Sequence, residues 1–142
     1  MSTKPKTLTV DLKRVIAGAP AKVYDAWMDP KQACNPWHEG KPMALQAKVG
    51  GLFYVRMGDN HSVPHFGRIL GLARGRRIQH TWMSPYTRGM ESTVTITFKK
   101  QGQGTLMTLR HAGLSNDSFG QAHQDGWGYF LGLVENHFKP KR

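Results

Sequence analysis

The sequence predicts an α+β fold in which a mostly antiparallel sheet of about seven strands is covered by one long C-terminal helix. Three observations carry this expectation. From Phe119 to Phe138 the residues Phe119, His123, Trp127, Phe130, Leu131, Val134 and Phe138, all but His123 apolar, recur at steps of three and four, the spacing of one helix face. From Met43 to His111 the apolar residues instead recur at every second position, the period of a half-buried strand. Gly, Asn, Asp and Pro punctuate these alternating runs, as hairpins require.

The chain opens with TLTVDLKRVI, Thr7–Ile16, whose alternation favours a strand, and Gly18–Pro20 then breaks it. Val23, Ala26 and Trp27 stand at helical spacing behind Pro20, a residue suited to the first turn of a helix, and Pro30 ends the segment. A second short helix is expected from about Pro30 to Asn35, before Pro36. In MALQAKVGG the alternation puts Met43, Leu45, Ala47 and Val49 on one face, and in LFYVRM the inner set is Phe53, Val55 and Met57. Gly58–His61 is strong turn chemistry. HFGRILGL follows, with Gly67 and Gly71 marking a bulge or a close backbone approach. The next runs group Ile78, His80 and Trp82, then Val94, Ile96 and Phe98, then Met107, Leu109 and His111. The closing helix is expected from about Ser118 to Lys139, with Asn116 and Asp117 available as caps. Gly120, Gly126, Gly128 and Gly132 weaken it by about 1 kcal/mol each relative to Ala, and should let its backbone approach the sheet closely.

A length of 142 residues suits a single domain with a real core. No apolar run approaches the roughly 20 residues that span a bilayer, and the start, MSTKPKTLTV, holds no apolar signal core. A cytoplasmic protein is the expectation. Cys34, the only cysteine, excludes an internal disulfide and a Cys-based metal site. Twenty Lys and Arg against nine Asp and Glu give a formal charge of +11. The cations are spread from Lys4 to Arg142, and the densest run, Arg74, Arg76 and Arg77, reads as a turn, so a solvated surface is favoured over a nucleic-acid site.

Taken together, GGLFYVRM, HFGRILGLARGRRIQHTW, STVTITF, GTLMTLRHAGL and HQDGWGYFLGLVENHF resemble, in order, the bacterial branch of the SRPBCC (START-like) superfamily that comprises activator of heat-shock chaperone ATPase homologue domain proteins. APAKVYDAWMDPKQACNPW, with Trp27 and Trp37, is similar to that family's strand-to-helix segment, so the resemblance covers nearly the whole chain. It implies a helix-grip fold, in which a curved antiparallel sheet holds the terminal helix and leaves an apolar cavity between them. Ligands and activities vary within that superfamily, so fold alone carries little function.

Among residues with chemistry, histidine is the sharpest group. Alternation points His80 and His111 toward the helix, His123 sits on the helix's inner stripe, and His65 joins them if the bulge falls after Ile69. Such imidazoles could orient a ligand, move protons or bind a metal, but no familiar metal-ligand spacing is present and satisfied core histidines are the plainer reading. Histidines at 111 and 123 also match the family, where they look like a contact between last strand and helix. The candidate lining is completed by Trp37, expected at a cavity mouth, and by Phe53, Trp82, Trp127 and Phe130. Glu39 could reach that mouth, whereas Arg56, Arg68 and Arg110 fall on the outer phase of their strands. There is no elbow motif, no phosphate-cradling glycine loop and no cofactor fingerprint; the glycines of GWGYFLG lie inside a helix.

The leading expectation is therefore a binding domain for a small apolar or aromatic molecule, without catalytic residues, cofactor or metal. An enzyme of the polyketide cyclase and aromatase type is the first alternative, and an interaction role like that of the chaperone ATPase activators the second. An exposed sheet edge would permit a homodimer.

Overall fold

A computed structural model describes residues 7–41 and 43–140 of the chain. The sequence's first residues, with Lys4, and its last, Arg142, lie outside that range. Strand β1 (Thr7–Ile16) leads into helix α1 (Pro20–Met28), and strands β2 (Met43–Leu45), β3 (Leu52–Met57), β4 (Val63–Ala73), β5 (Arg77–Trp82), β6 (Ser92–Gln101) and β7 (Gly104–Ser115) precede helix α2 (Ser118–Phe138). The strands form one antiparallel sheet in the order β1-β7-β6-β5-β4-β3-β2. After β1 the chain crosses to the far edge, enters as β2 and walks back by hairpins until β7 lies against β1. The two-layer α+β layout follows, with α2 laid across the inner face of the sheet and packed most closely on β1.

The alternation read from the sequence is the alternation that is buried. Phe53, Val55, Ile78, His80, Trp82, Val94, Ile96, Phe98, Met107, Leu109 and His111 all face the core. In β4 the register against β5 slips between Ile69 and Gly71, placing one extra residue there. His65, Gly67 and Ile69 therefore share the inner face, which is the arrangement that a bulge after Ile69 requires. Helix α2 starts where Asp117 Oδ1 accepts the backbone N–H of Gly120 (3.0 Å) and the hydroxyl of Ser115 (2.9 Å). Leu131 and Val134 are fully buried on its inner stripe, while Phe119 at its start is 38% exposed.

Three expectations change. The second short helix does not form: residues 29–35 make successive turns, closed by Gln32 N–H to Asp29 O and Asn35 N–H to Gln32 O, and a single 3-10 turn follows at Pro36–Glu39. Asn35 explains this, because its buried amide donates to the carbonyls of Trp27 and Asp29 at the end of α1 while its oxygen accepts Trp37 N–H. Strand β2 stops at Leu45, since Gln46 folds back onto Leu52 through both its backbone and its side chain. Ala47 and Val49 then lie in a loop, Val49 being 64% exposed, and their spacing is accidental. Of the glycines in α2, only Gly120 makes a close approach: a Cβ there would collide with the Ser115 carbonyl oxygen, whereas Gly126 and Gly132 face open space.

Candidate ligand-binding site

The inner face carries more aromatic surface than a sheet of aliphatic residues would, and this concentration shapes the site. Trp37 is the hub, with ring centroids 4.7 Å from Phe53, 5.1 Å from Phe130, 5.7 Å from Trp127 and 5.8 Å from both Trp27 and Trp82. Trp82 in turn packs on Trp127 (5.0 Å), His65 (5.0 Å) and Phe53 (5.8 Å). Rings at these separations and tilts attract one another beyond their area of burial.

This cluster fills the middle of the space between sheet and helix and leaves it open at one end. Trp37, Phe53 and His80 border a small void of about 10 Å³ deep in the core. Beside the N-terminal half of α2 lies a cleft of about 490 Å³, lined by Met57, His65, Trp82, Tyr86, Ala122, His123, Asp125, Gly126, Trp127, Tyr129 and Phe130. Five of the nine residues picked from the sequence, His65, Trp82, His123, Trp127 and Phe130, thus meet at this cleft. Trp37 is not at a mouth but buried at the centre, and Phe53 and His80 stand behind the wall. His111 is fully buried behind Trp82 and Trp127, in ring contact with both.

The buried imidazoles are held in defined states. Trp127 Nε1–H can only donate, and it donates to His111 Nδ1 (2.9 Å). The His111 proton is therefore on Nε2, which donates to Ser92 Oγ (2.7 Å), and the Ser92 hydroxyl donates to the Trp82 carbonyl (3.0 Å). Burial first, then the neighbouring His123 and His80, push the His111 pKa down to about 2, so the ring stays neutral. His80 donates Nδ1–H to the Thr81 carbonyl (2.7 Å), and burial lowers its pKa to about 4. His65 is likewise lowered to about 4, mainly by burial, and is bonded to the Val63 carbonyl (3.1 Å). His123 faces the carbonyls of Phe119 (3.0 Å) and Gly120 (3.2 Å) through Nδ1, and burial lowers its pKa too. No other described residue bonds to its Nε2, and no described group of three His, Cys, Asp or Glu could hold a metal ion.

One buried polar atom of Trp82, a cleft-lining residue that is 3% exposed, is left over: its Nε1 is closed off from solvent and has no hydrogen-bond partner among the described residues. Trp27, by contrast, directs its indole N–H to Met107 Sδ at 3.0 Å. Sequence reasoning passed over Tyr86, Ala122, Asp125, Gly126 and Tyr129. Tyr86 lies in a turn outside any alternation, brought to the cleft by its ring contact with Phe119 (5.7 Å) and by the ion pair of Arg88 with Asp117 (3.1 Å). Tyr129 is 55% exposed and donates its hydroxyl to Glu39 (2.8 Å), so Glu39 touches the cleft wall from outside. Cys34 lies elsewhere, in a polar hollow with His38 and His137, and burial raises its thiol pKa. A raised pKa disfavours a reactive thiolate there.

No protein with a curated function matches the chain. Among solved structures, a Chromobacterium violaceum protein superposes with a TM-score of 0.74 at 24% identity, covering 94% of this chain and 98% of that one. CalU16 from Micromonospora echinospora gives 0.75 at 22% identity, over 98% of this chain and 82% of that one. The Aha1 dimer from Colwellia psychrerythraea gives 0.73 at 14% identity, over 92% and 96%. Identities this low speak for a shared fold. The family described as Activator of Hsp90 ATPase homolog 1-like protein matches residues 17–139, from the end of β1 through α2, and the chain belongs to that family, within the SRPBCC superfamily.

Proposed function

We propose that the protein binds a small apolar or aromatic molecule in the cleft between α2 and the sheet. One observation supports this most: in a chain with 20 Lys and Arg, none of the described ones lines the cleft, which is built from Trp82, Trp127, Phe130, Tyr86 and Tyr129 instead. A cleft of about 490 Å³ falls within the range of small-molecule sites, which are mostly apolar with a few fixed polar groups. The histidine states favour binding over acid–base turnover, because His111 is locked as a neutral link and His65 and His80 are bonded to backbone carbonyls. The setting we propose is the cytoplasm, as a single domain; no described helix is long and apolar enough to cross a membrane.

Native mass spectrometry of gently purified protein tests the reading, followed by titration of the mass found. A discrete adduct on the 16.0 kDa chain that is lost in a Trp127→Ala variant of retained fold is the expected result. An adduct that survives that substitution would place the binding site elsewhere.

A second reading, a protein-binding surface, draws on the outer face of β3 and β4. Leu52, Phe66 and Leu70 are each 38–47% exposed there, next to the β2 edge. Sedimentation of the purified chain, and capture by a purified Hsp90-type chaperone at low salt, would separate self-association from chaperone binding.

A further inference from the structure

Apart from the cleft, we propose that the outer face of the sheet binds single-stranded nucleic acid. Along the sequence the cations are scattered, but strand alternation gathers six of them on this face. Lys13, Arg56, Arg68, Arg77, Lys99 and Arg110 take the outer phase of β1, β3, β4, β5, β6 and β7, one from each strand but β2. Arg56 is half-buried and the other five are exposed. Asp11, in register with Arg110, is the only carboxylate on the face; the other eight sit in helices, turns and loops. None of the six cations joins an ion pair among the described residues, whose ion pairs, Arg14–Glu135, Arg74–Asp25 and Arg88–Asp117, lie elsewhere. Both helices pack on the inner side, α1 through Tyr24 on Phe98 (5.8 Å) and Trp27 on Met107, and no described helix covers the outer one.

Unpaired cations spread over an open face on a protein of formal charge +11 fit a polyanion. The rings beside them narrow the class. Phe66, 38% exposed, stands in register opposite Tyr54 with ring centroids 4.9 Å apart, and Arg68 follows on the same strand and the same face. Thr95, Thr97 and Thr108 place hydroxyls between the cations. Stacking rings for bases, with cations and hydroxyls for phosphate and sugar, make a platform for a single strand. A duplex fits it less well. Seven strands at about 4.8 Å spacing make a face roughly 29 Å wide, too broad for a major groove about 12 Å across, so a duplex would meet it with its backbone alone.

Fluorescence anisotropy with a labelled oligothymidylate of about 15 nucleotides, and with its duplex on oligoadenylate, tests this. With about four phosphates neutralised, single-strand affinity should fall roughly fifty-fold between about 50 and about 200 mM salt. Phe66→Ala should weaken single-strand binding about tenfold and leave duplex binding nearly unchanged. Arg110→Gln should weaken both, and lower the salt slope for the single strand by about 0.7. Arg74→Gln removes the same charge off the face and should change neither; all three positions are exposed, so the fold is retained. No binding at about 50 mM salt would overturn the proposal. Equal losses in Arg74→Gln and Arg110→Gln would overturn it too, by showing that net charge and not this face holds the strand. Single-strand binding indifferent to Phe66→Ala would do so as well, as would tighter binding to phosphatidylserine vesicles or to polyglutamate, which would assign the face to a membrane or an acidic protein.

Discussion

Acid should unfold this protein in the pH range where imidazole titrates. His65 and His80 have folded-state pKa values of about 4 and His111 of about 2, all below the 6.5 of an exposed histidine, and burial is the leading cause in each. The native state therefore binds fewer protons than the unfolded chain below that value. This stability is fully present above about pH 6.5 and is lost progressively as pH falls toward 4. Between about pH 7.5 and about pH 5.5 each of these three imidazoles costs ~1.3 kcal/mol, ~4 kcal/mol together, by the linkage of proton binding to folding. His123, lowered in the same direction, adds to the loss. A domain whose whole stability is on the order of 5–15 kcal/mol should feel this strongly. Urea unfolding followed by tryptophan fluorescence at several pH values measures it. Asp117 does not confuse the result, because its carboxyl, held at about 2 chiefly by the Gly120 N–H, loses its contribution only as pH falls through the carboxylate range. A urea midpoint unchanged down to about pH 5.5 would refute the burial of neutral histidines.

Ser92→Ala removes the oxygen between His111 Nε2 and the Trp82 carbonyl without opening a cavity, so it should cost about 2 kcal/mol and lower Tm by roughly 6–10 °C in a thermal melt. Gly132→Ala, on an open stretch of α2, should stabilise by about 0.5–1 kcal/mol in urea titration. Gly120→Ala should cost ~3 kcal/mol or more in the same assay, because its Cβ meets the Ser115 carbonyl. Arg74→Ala breaks an exposed two-point bond to Asp25 (3.0 and 2.7 Å), so we expect only a small drop in the urea midpoint, and one that vanishes in high salt.

Periodicity made the long elements legible because burial on one face imposes it on the sequence. The inward sets of β3, β5, β6 and β7 and the stripe of α2 were readable for this reason, and so was the inward turn of His65, which depends on a bulge that Gly71 signals. Segments set by single side chains were not. Asn35 replaces a helix with turns, and Gln46 ends β2 early, through hydrogen bonds that leave no repeating pattern. The lining of the candidate cleft was half legible. Alternation gives the face on which a residue lies but not its depth, so Trp37, Phe53 and His80 could not be told apart from Trp82 and Trp127, which reach the cleft. Tyr86 and Tyr129 come from a turn and from the helix flank, where an apolar ring carries no inward signal.

The indole N–H signals of the four tryptophans in a two-dimensional NMR spectrum test the central claim most directly. On addition of a small aromatic molecule that fills the cleft, the account predicts shifts of the Trp82 and Trp127 signals, whose rings line it. The Trp27 signal, already bonded to Met107 Sδ in the core, should stay in place. A saturating ligand that moves Trp27 and leaves Trp82 unchanged, or an added ligand that moves none of the four, would contradict a binding cleft beside α2.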